Sequence, residues 1–135
     1  MDFYSKAKDF INNNVNFATA NHIRVLEVGE GTCTAELTVV QESLNPMGNV
    51  HGGCLATLAD VTCGAAVRSY GRKCVTLDCS LHYLAAGTGG RIRGEARVVR
   101  KGGTIVVCDV TLLDEKGVKV LVGTLTFYLL GETLS

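Results

Sequence analysis

The chain has 135 residues, 47% of them apolar and 19% charged, enough to build one packed domain over residues 1–135. Lysine plus arginine and aspartate plus glutamate number 13 each, so the formal charge is zero. That balance excludes the basic stripe of a nucleic-acid partner or an anionic membrane surface, and a protein free in solution is expected.

The N-terminal stretch MDFYSKAKDFI is not read as a signal peptide, because it carries acidic residues and lacks a basic segment followed by an apolar run. The cysteines Cys33, Cys54, Cys63, Cys74, Cys79 and Cys108 form no CxxC pair and no cysteine–histidine spacing suited to zinc or an iron–sulfur cluster. Free thiols without an export signal point to the cytoplasm. The longest weakly charged run, Gly52 to Val67, is too short to span a membrane and carries Asp60 at its middle.

Phe3, Ala7, Phe10, Ile11 and Val15 approximate helical spacing with Asp2 as cap, predicting a short amphipathic helix. His22 to Val28 and Cys33 to Val40 are rich in β-formers and meet at Gly29-Glu30-Gly31, which predicts a hairpin. Gln41 to Val50, with Asn45, Pro46, Gly48 and Asn49, reads as a loop. From His51 to about Tyr70, alanine, leucine and glycine without alternation predict one almost wholly buried helix with no polar face.

Val75, Leu77, Cys79, Leu81 and Tyr83 alternate with Thr76, Asp78, Ser80 and His82, a strict period of two that predicts a regular strand. Arg91 to Val98 alternates likewise, Lys101-Gly102-Gly103 turns the chain into Thr104 to Leu113, and Asp114 to Gly117 turns it into Val118 to Leu129. The order reads as a helix, two strands, one buried helix, then three long strands joined by short turns that favour antiparallel pairing. The fold class is α+β, an antiparallel sheet wrapped around one helix.

Chemistry concentrates between Asn45 and Asp60. A helix beginning at His51-Gly52-Gly53 offers unpaired backbone N–H groups and the positive end of its dipole, and glycines let a ligand approach that backbone. Such an end can hold a developing oxyanion. Taken alone, HGG also describes tight packing at a helix start. Asp60 is the only carboxylate in the helix, and it needs hydrogen-bond partners there, whether it is structural or catalytic. Eight residues separate Gly52 from Asp60, about 12 Å along one helix, so both cannot touch one carbonyl within a chain. Two copies packed with these helices antiparallel bring the glycine of one to the aspartate of the other, twice over.

Asn45, His51-Gly52-Gly53, Leu58-Ala59-Asp60 and the small residues Gly64-Ala65-Ala66, with the strand Val75 to Tyr83, resemble the PaaI-like branch of the hotdog-fold acyl-CoA thioesterases. The resemblance implies a hotdog fold. It implies that the Gly52 N–H polarises a thioester carbonyl while Asp60 of the opposing subunit activates water or attacks directly. Asn45 and His51 would shape the site, and Thr76 falls where a hydroxyl residue positions the water in some relatives. Coenzyme A would lie along Gly53, Tyr83 and the turn Arg100-Lys101-Gly102-Gly103-Thr104, whose cations and free N–H groups suit phosphates; a charged turn of this kind is also an ordinary solvated hairpin end. No cofactor is implied, since coenzyme A belongs to the substrate. The assembly implied is a homodimer, pairing into a homotetramer.

Rival readings fit less well. A nucleophile at Cys54 or Cys63 needs a paired base, which His22, His51 and His82 do not supply by spacing. Gly87-Thr88-Gly89-Gly90 precedes a strand rather than a helix, which removes a phosphate loop. An enoyl-thioester hydratase of this fold would place a histidine four or five residues after Asp60, where this chain has none. A non-catalytic acyl-CoA-binding protein of the same fold is the remaining alternative.

Overall fold

The computed structural model describes residues 2–133. Helix α1 (Phe3–Asn12) starts as the sequence predicts, with the Asp2 carboxylate accepting from the Ser5 N–H at 2.8 Å. Tyr4 and Ile11 pack it on the core, and the Asn12 amide exchanges two hydrogen bonds with the Val25 backbone at 2.7 and 2.8 Å. A second helix, α2 (Phe17–Ala20), escaped the sequence reading because four residues show no period. Reciprocal bonds between Asn16 and Thr19 make it.

Strands β1 (Ile23–Gly29) and β2 (Thr32–Thr38) form the expected hairpin. The long helix is α3 (Gly52–Arg68). Four strands, not three, follow it: β3 (Arg72–Tyr83), β4 (Arg91–Lys101), β5 (Ile105–Asp114) and β6 (Lys119–Thr133). They form one antiparallel sheet in the order β1-β2-β4-β5-β6-β3. The β4–β5 and β5–β6 hairpins follow the short turns, closed by Gly102 N–H to Ile105 O at 2.8 Å and Gly117 N–H to Asp114 O at 2.9 Å. β3 does not pair with its neighbour in sequence. The loop 84–90 carries the chain across the molecule, and β3 pairs with β6 as an edge strand.

α3 contacts all six strands, and the core lies between it and the sheet's inner face. Leu58, Ala59, Cys63, Ala66 and Val67 meet Val25, Leu37, Ile92, Leu112, Leu125 and Leu129, all essentially inaccessible. Each large side chain so buried contributes about 1.5–3 kcal/mol. The helix crosses β4 closely enough that a Cβ at Gly94 would stand 2.6 Å from the Thr62 hydroxyl, which explains a glycine inside that strand. No helix among the described residues is long and apolar enough to cross a membrane.

Two expectations fail in a way that matters. α3 is not covered all round: Gly53 and Asp60 are exposed, and Ala56, Thr57 and Val61 are half-buried, so one stripe faces away from the sheet. The sequence hides this stripe because small residues read as core. Nor is β3 regular. Thr76 pairs with Phe127 and Asp78 with Thr126, leaving Leu77 as a bulge. Before it, Cys74 and Thr76 face the helix; after it, Cys79, Leu81 and Tyr83 do, opposite Leu125, Gly123 and Leu121. The five-residue apolar face read from the sequence is therefore split, with Val75 on the other side.

Candidate active site

The entry to α3 is fixed by its own loop. The His51 N–H donates to Ser43 O at 2.8 Å, and Leu44 bridges Val50. Asn45 ties the turn between them: its Oδ1 accepts from Met47 N–H at 3.0 Å and Asn49 N–H at 3.1 Å, and its own N–H donates to Asn49 O at 2.7 Å. Asn45 thus shapes the approach. His51 is the helix N-cap, its Nδ1 accepting from the Gly53 N–H at 2.8 Å, which places the ring proton of the neutral imidazole on Nε2. That bond consumes the Gly53 donor. The Gly52 N–H, one residue earlier, finds no acceptor among the described residues and remains available at the positive end of the helix.

β3 supplies the rest. The Tyr83 hydroxyl donates to Gly52 O at 3.1 Å, and its ring lies against Gly52, where a Cβ would stand 3.4 Å from Cε1. Toward the middle of the helix, the Thr76 hydroxyl donates to Asp60 Oδ1 at 2.7 Å. This short bond engages one carboxyl oxygen of Asp60, a side chain that is itself exposed. Eight residues of continuous helix still hold Gly52 and Asp60 about 12 Å apart, so one chain presents a donor with Tyr83 and, separately, a carboxylate with Thr76.

The turn Arg100 to Thr104 lies elsewhere. Arg72 Nη1 donates to Gly103 O at 2.9 Å, the Leu129 N–H donates to Thr104 O at 2.7 Å, and Lys101 Nζ sits 5.3 Å over the Tyr70 ring. These contacts put the turn beside the C-terminal end of α3, the end opposite Gly52 and Tyr83. Within one chain it does not join them.

Four of the thiols, Cys33, Cys54, Cys63 and Cys74, are disfavoured as thiolates, with burial acting on each. Burial raises Cys54, with the Ser43 hydroxyl working the other way, and burial with the nearby Cys108 pushes Cys33 up to about 12. Cys63 is raised further by its contact with Cys108 and by burial. No group of three or more histidine, cysteine or acidic side chains among the described residues can hold a metal ion. Sequence reasoning missed Ser43, whose carbonyl anchors His51, and the bulge at Leu77; only the buried serine before a helix gives a local signal.

An antiparallel sheet wrapped around one central helix is the hotdog fold of the thioesterases. Residues 47–121 match the thioesterase superfamily, and the chain belongs to that family. It is similar to acyl-coenzyme A thioesterase PaaI of Escherichia coli, 29% identical over 100 residues that cover 73% of this chain and 71% of that protein. The solved structure of the E. coli PaaI protein superposes with a TM-score of 0.88 at 26% identity, covering 99% of this chain and all of that one. A hypothetical thioesterase from Streptococcus pneumoniae, solved with coenzyme A, gives a TM-score of 0.78 at 34% identity over 83% of this chain and 88% of that one. Alanine variants of an aspartate and of a threonine sixteen positions later have been solved for the Streptococcus protein, the separation of Asp60 and Thr76 here. A putative esterase of Archaeoglobus fulgidus is 32% identical over 98 residues, 72% of this chain, and the match spans 64% of that protein's length, under two thirds of it.

Proposed function

We propose that the chain hydrolyses an acyl- or aryl-CoA thioester to the free acid and coenzyme A, at a site completed by a second copy of itself. The observation that carries this reading is the Thr76–Asp60 bond on the open stripe of a helix whose first N–H is free. Coenzyme A bound in the solved Streptococcus neighbour supports a CoA thioester as substrate.

What one chain leaves uncovered supports a dimer. β3 is a twelve-residue edge strand with Val75 and Leu77 47% and 52% exposed, a template for pairing with its own copy. A two-fold axis there sets the α3 stripes of Gly53, Ala56, Thr57 and Asp60 antiparallel, and their small residues permit close approach. Gly52 with Tyr83 then meets Asp60 of the partner subunit. The partner's turn 100–104, at the far end of its α3, swings toward this Gly52, the direction coenzyme A takes. Dimers pair further into a homotetramer.

In the site, the Gly52 N–H donates to the carbonyl oxygen, and its donation strengthens as negative charge develops there. Asp60 of the partner takes a proton from water as the water oxygen bonds to the carbonyl carbon. Collapse of the tetrahedral species breaks the carbon–sulfur bond, and the thiolate recovers the proton. On the alternative route the carboxylate's own oxygen bonds to the carbonyl carbon, the thiolate leaves, and water hydrolyses the resulting mixed anhydride to the free acid and Asp60, its released proton going to the thiolate. His51 and Asn45 hold the glycine donor in place, and Thr76 orients the carboxylate. The chemistry needs no cofactor.

Thiol release from acyl-CoA tests the reading. Asp60→Asn is expected to lose about 10²–10⁴-fold in kcat while still binding the thioester. Undiminished turnover sinks the assignment. In a single turnover in ¹⁸O-water, label found in the Asp60 carboxyl assigns the nucleophilic route, since general-base catalysis places it only in the product acid.

A further inference from the structure

Arg68 closes the last turn of α3, and none of its guanidinium nitrogens has an acceptor among the described residues. It is half-buried rather than extended into water. Its side chain runs back along the helix, so that Nη1 stands 3.2 Å from where a Cβ of Gly64 would be, with Phe127 Cε2 3.8 Å from the same point. Asp60, Gly64 and Arg68 are spaced by four residues and share one helix face. The guanidinium therefore lies about 6 Å along the axis from Asp60.

The strand gives a second measure. Cys74 and Thr76 both face the helix, about 7 Å apart along β3, and Thr76 binds Asp60. Burial raises the Cys74 thiol, the positive charge of Arg68 lowers it and the charge of Asp60 raises it, so Cys74 feels both groups. An unpaired cation thus stands one helical turn beyond the carboxylate, beside the same strand.

Resting on the thioesterase reading above, we propose that Arg68 is a specificity-determining residue that receives a carboxylate carried by the acyl group a few carbons from the thioester. The distance decides which part of the substrate reaches it. The phosphates of coenzyme A are held off by the whole pantetheine arm, much farther than one helical turn from the reacting carbon. Acceptor oxygens within reach belong to the acyl group or to the pantetheine amide next to the sulfur. A planar guanidinium without a protein partner suits the carboxylate, which it can hold with two parallel bonds. A neutral acyl tail leaves that cation half-desolvated and unpaired, which costs selectivity against such substrates.

The test compares kcat/KM for succinyl-CoA with butyryl-CoA, and for glutaryl-CoA with valeryl-CoA, in the wild-type chain and in Arg68→Gln, Arg68→Lys and Arg68→Glu. The wild type is expected to favour the carboxylated member of a pair, and Arg68→Gln to cut the carboxylated substrates by about ten- to a hundredfold while neutral ones move less than about threefold. Lysine retains part of the preference. Glutamate inverts it toward 4-aminobutyryl-CoA. A uniform loss across all four substrates assigns Arg68 to the pantetheine amide and overturns the proposal, as does an Arg68→Gln chain with unchanged kinetics and a lowered melting temperature, the mark of a charge that only serves the helix end. Hydrolysis of neutral acyl-CoA with no carboxylate preference sinks this inference alone; no hydrolysis of any acyl-CoA sinks the thioesterase reading beneath it.

Discussion

Replacing Thr76 by valine keeps the β-branched shape in β3 and deletes one donor, the hydroxyl 2.7 Å from Asp60 Oδ1. A hydrogen bond to a charged group contributes about 1.5–3 kcal/mol. Part of that is returned by water in an exposed monomer; in the two-copy site proposed above, more of it would hold the carboxylate on line. If the bond acts in the transition state, the loss converts to about ten- to a hundredfold in kcat at nearly constant KM. Thiol release under saturating acyl-CoA measures it, with Thr76→Ser expected within a few-fold of wild type. The decisive comparison is Thr76→Val in an Asp60→Asn background. Because Thr76 acts through the carboxylate, the second change adds little to the first. Full additivity, or a fall in kcat/KM carried by KM alone, refutes the argument and returns Thr76 to an ordinary strand position.

Gly52→Pro removes the one free donor without breaking the helix, since proline fits the first helical position and His51 already holds φ −62° and ψ 137°, a conformation that tolerates a following proline. Its kcat is expected to fall about 10²–10³-fold, and mixing it with Asp60→Asn chains restores about a quarter of wild-type sites through hybrids that own one intact site; hybrids that form without activity would exclude a shared site. Val75→Lys puts a charge on the open edge of β3, and sedimentation should show a smaller species with proportionately less activity; an active monomer would end the two-copy reading. Burial alone would raise the Asp114 carboxyl, yet donors from Val118, Thr88 and Lys116 outweigh it and hold it below the usual range. A lowered folded-state pKa adds stability that is present above the ordinary aspartate value, about 3.9, and is lost as pH falls through the folded value. Urea midpoints from pH 7 to 3 should therefore drop for the wild type and change less for Asp114→Asn.

Much of this fold is legible because one period governs each element. β4 buries Ile92, Gly94 and Ala96 in strict alternation, and the turns at Gly102 and Gly117 fall where glycine predicts them. α3 is readable as a helix but not as a half-open one, since the same small residue types, alanine, threonine and glycine, occur both on the face packed against the sheet and on the open stripe. Pairing of β3 with β6 is out of reach for a different reason: it joins residues from 38 (Tyr83 with Leu121) to 61 (Arg72 with Thr133) positions apart, and no local pattern encodes it. At the candidate site, the spacing of Gly52 and Asp60, about 12 Å along one helix, is legible from the sequence alone. The phosphate-suited turn at Arg100 to Thr104 was also readable, but its place at the other end of α3 depends on the hairpin's register and on Arg72.

The bulge at Leu77 is what reconciles the two halves of the site. In a regular strand Thr76 and Tyr83, seven residues apart, point to opposite faces. Thr76 could then reach Asp60, or Tyr83 could reach Gly52, but not both. One extra residue restores the parity, so that both side chains face α3 while Val75 turns outward. Leucine at the bulge carries no turn signal, and the alternation of apolar residues around it imitates an unbroken strand. The irregularity also sits at the middle of the exposed edge, where two copies of β3 would meet. A single inserted residue thereby sets both the orientation of the carboxylate within the chain and the shape of the exposed edge.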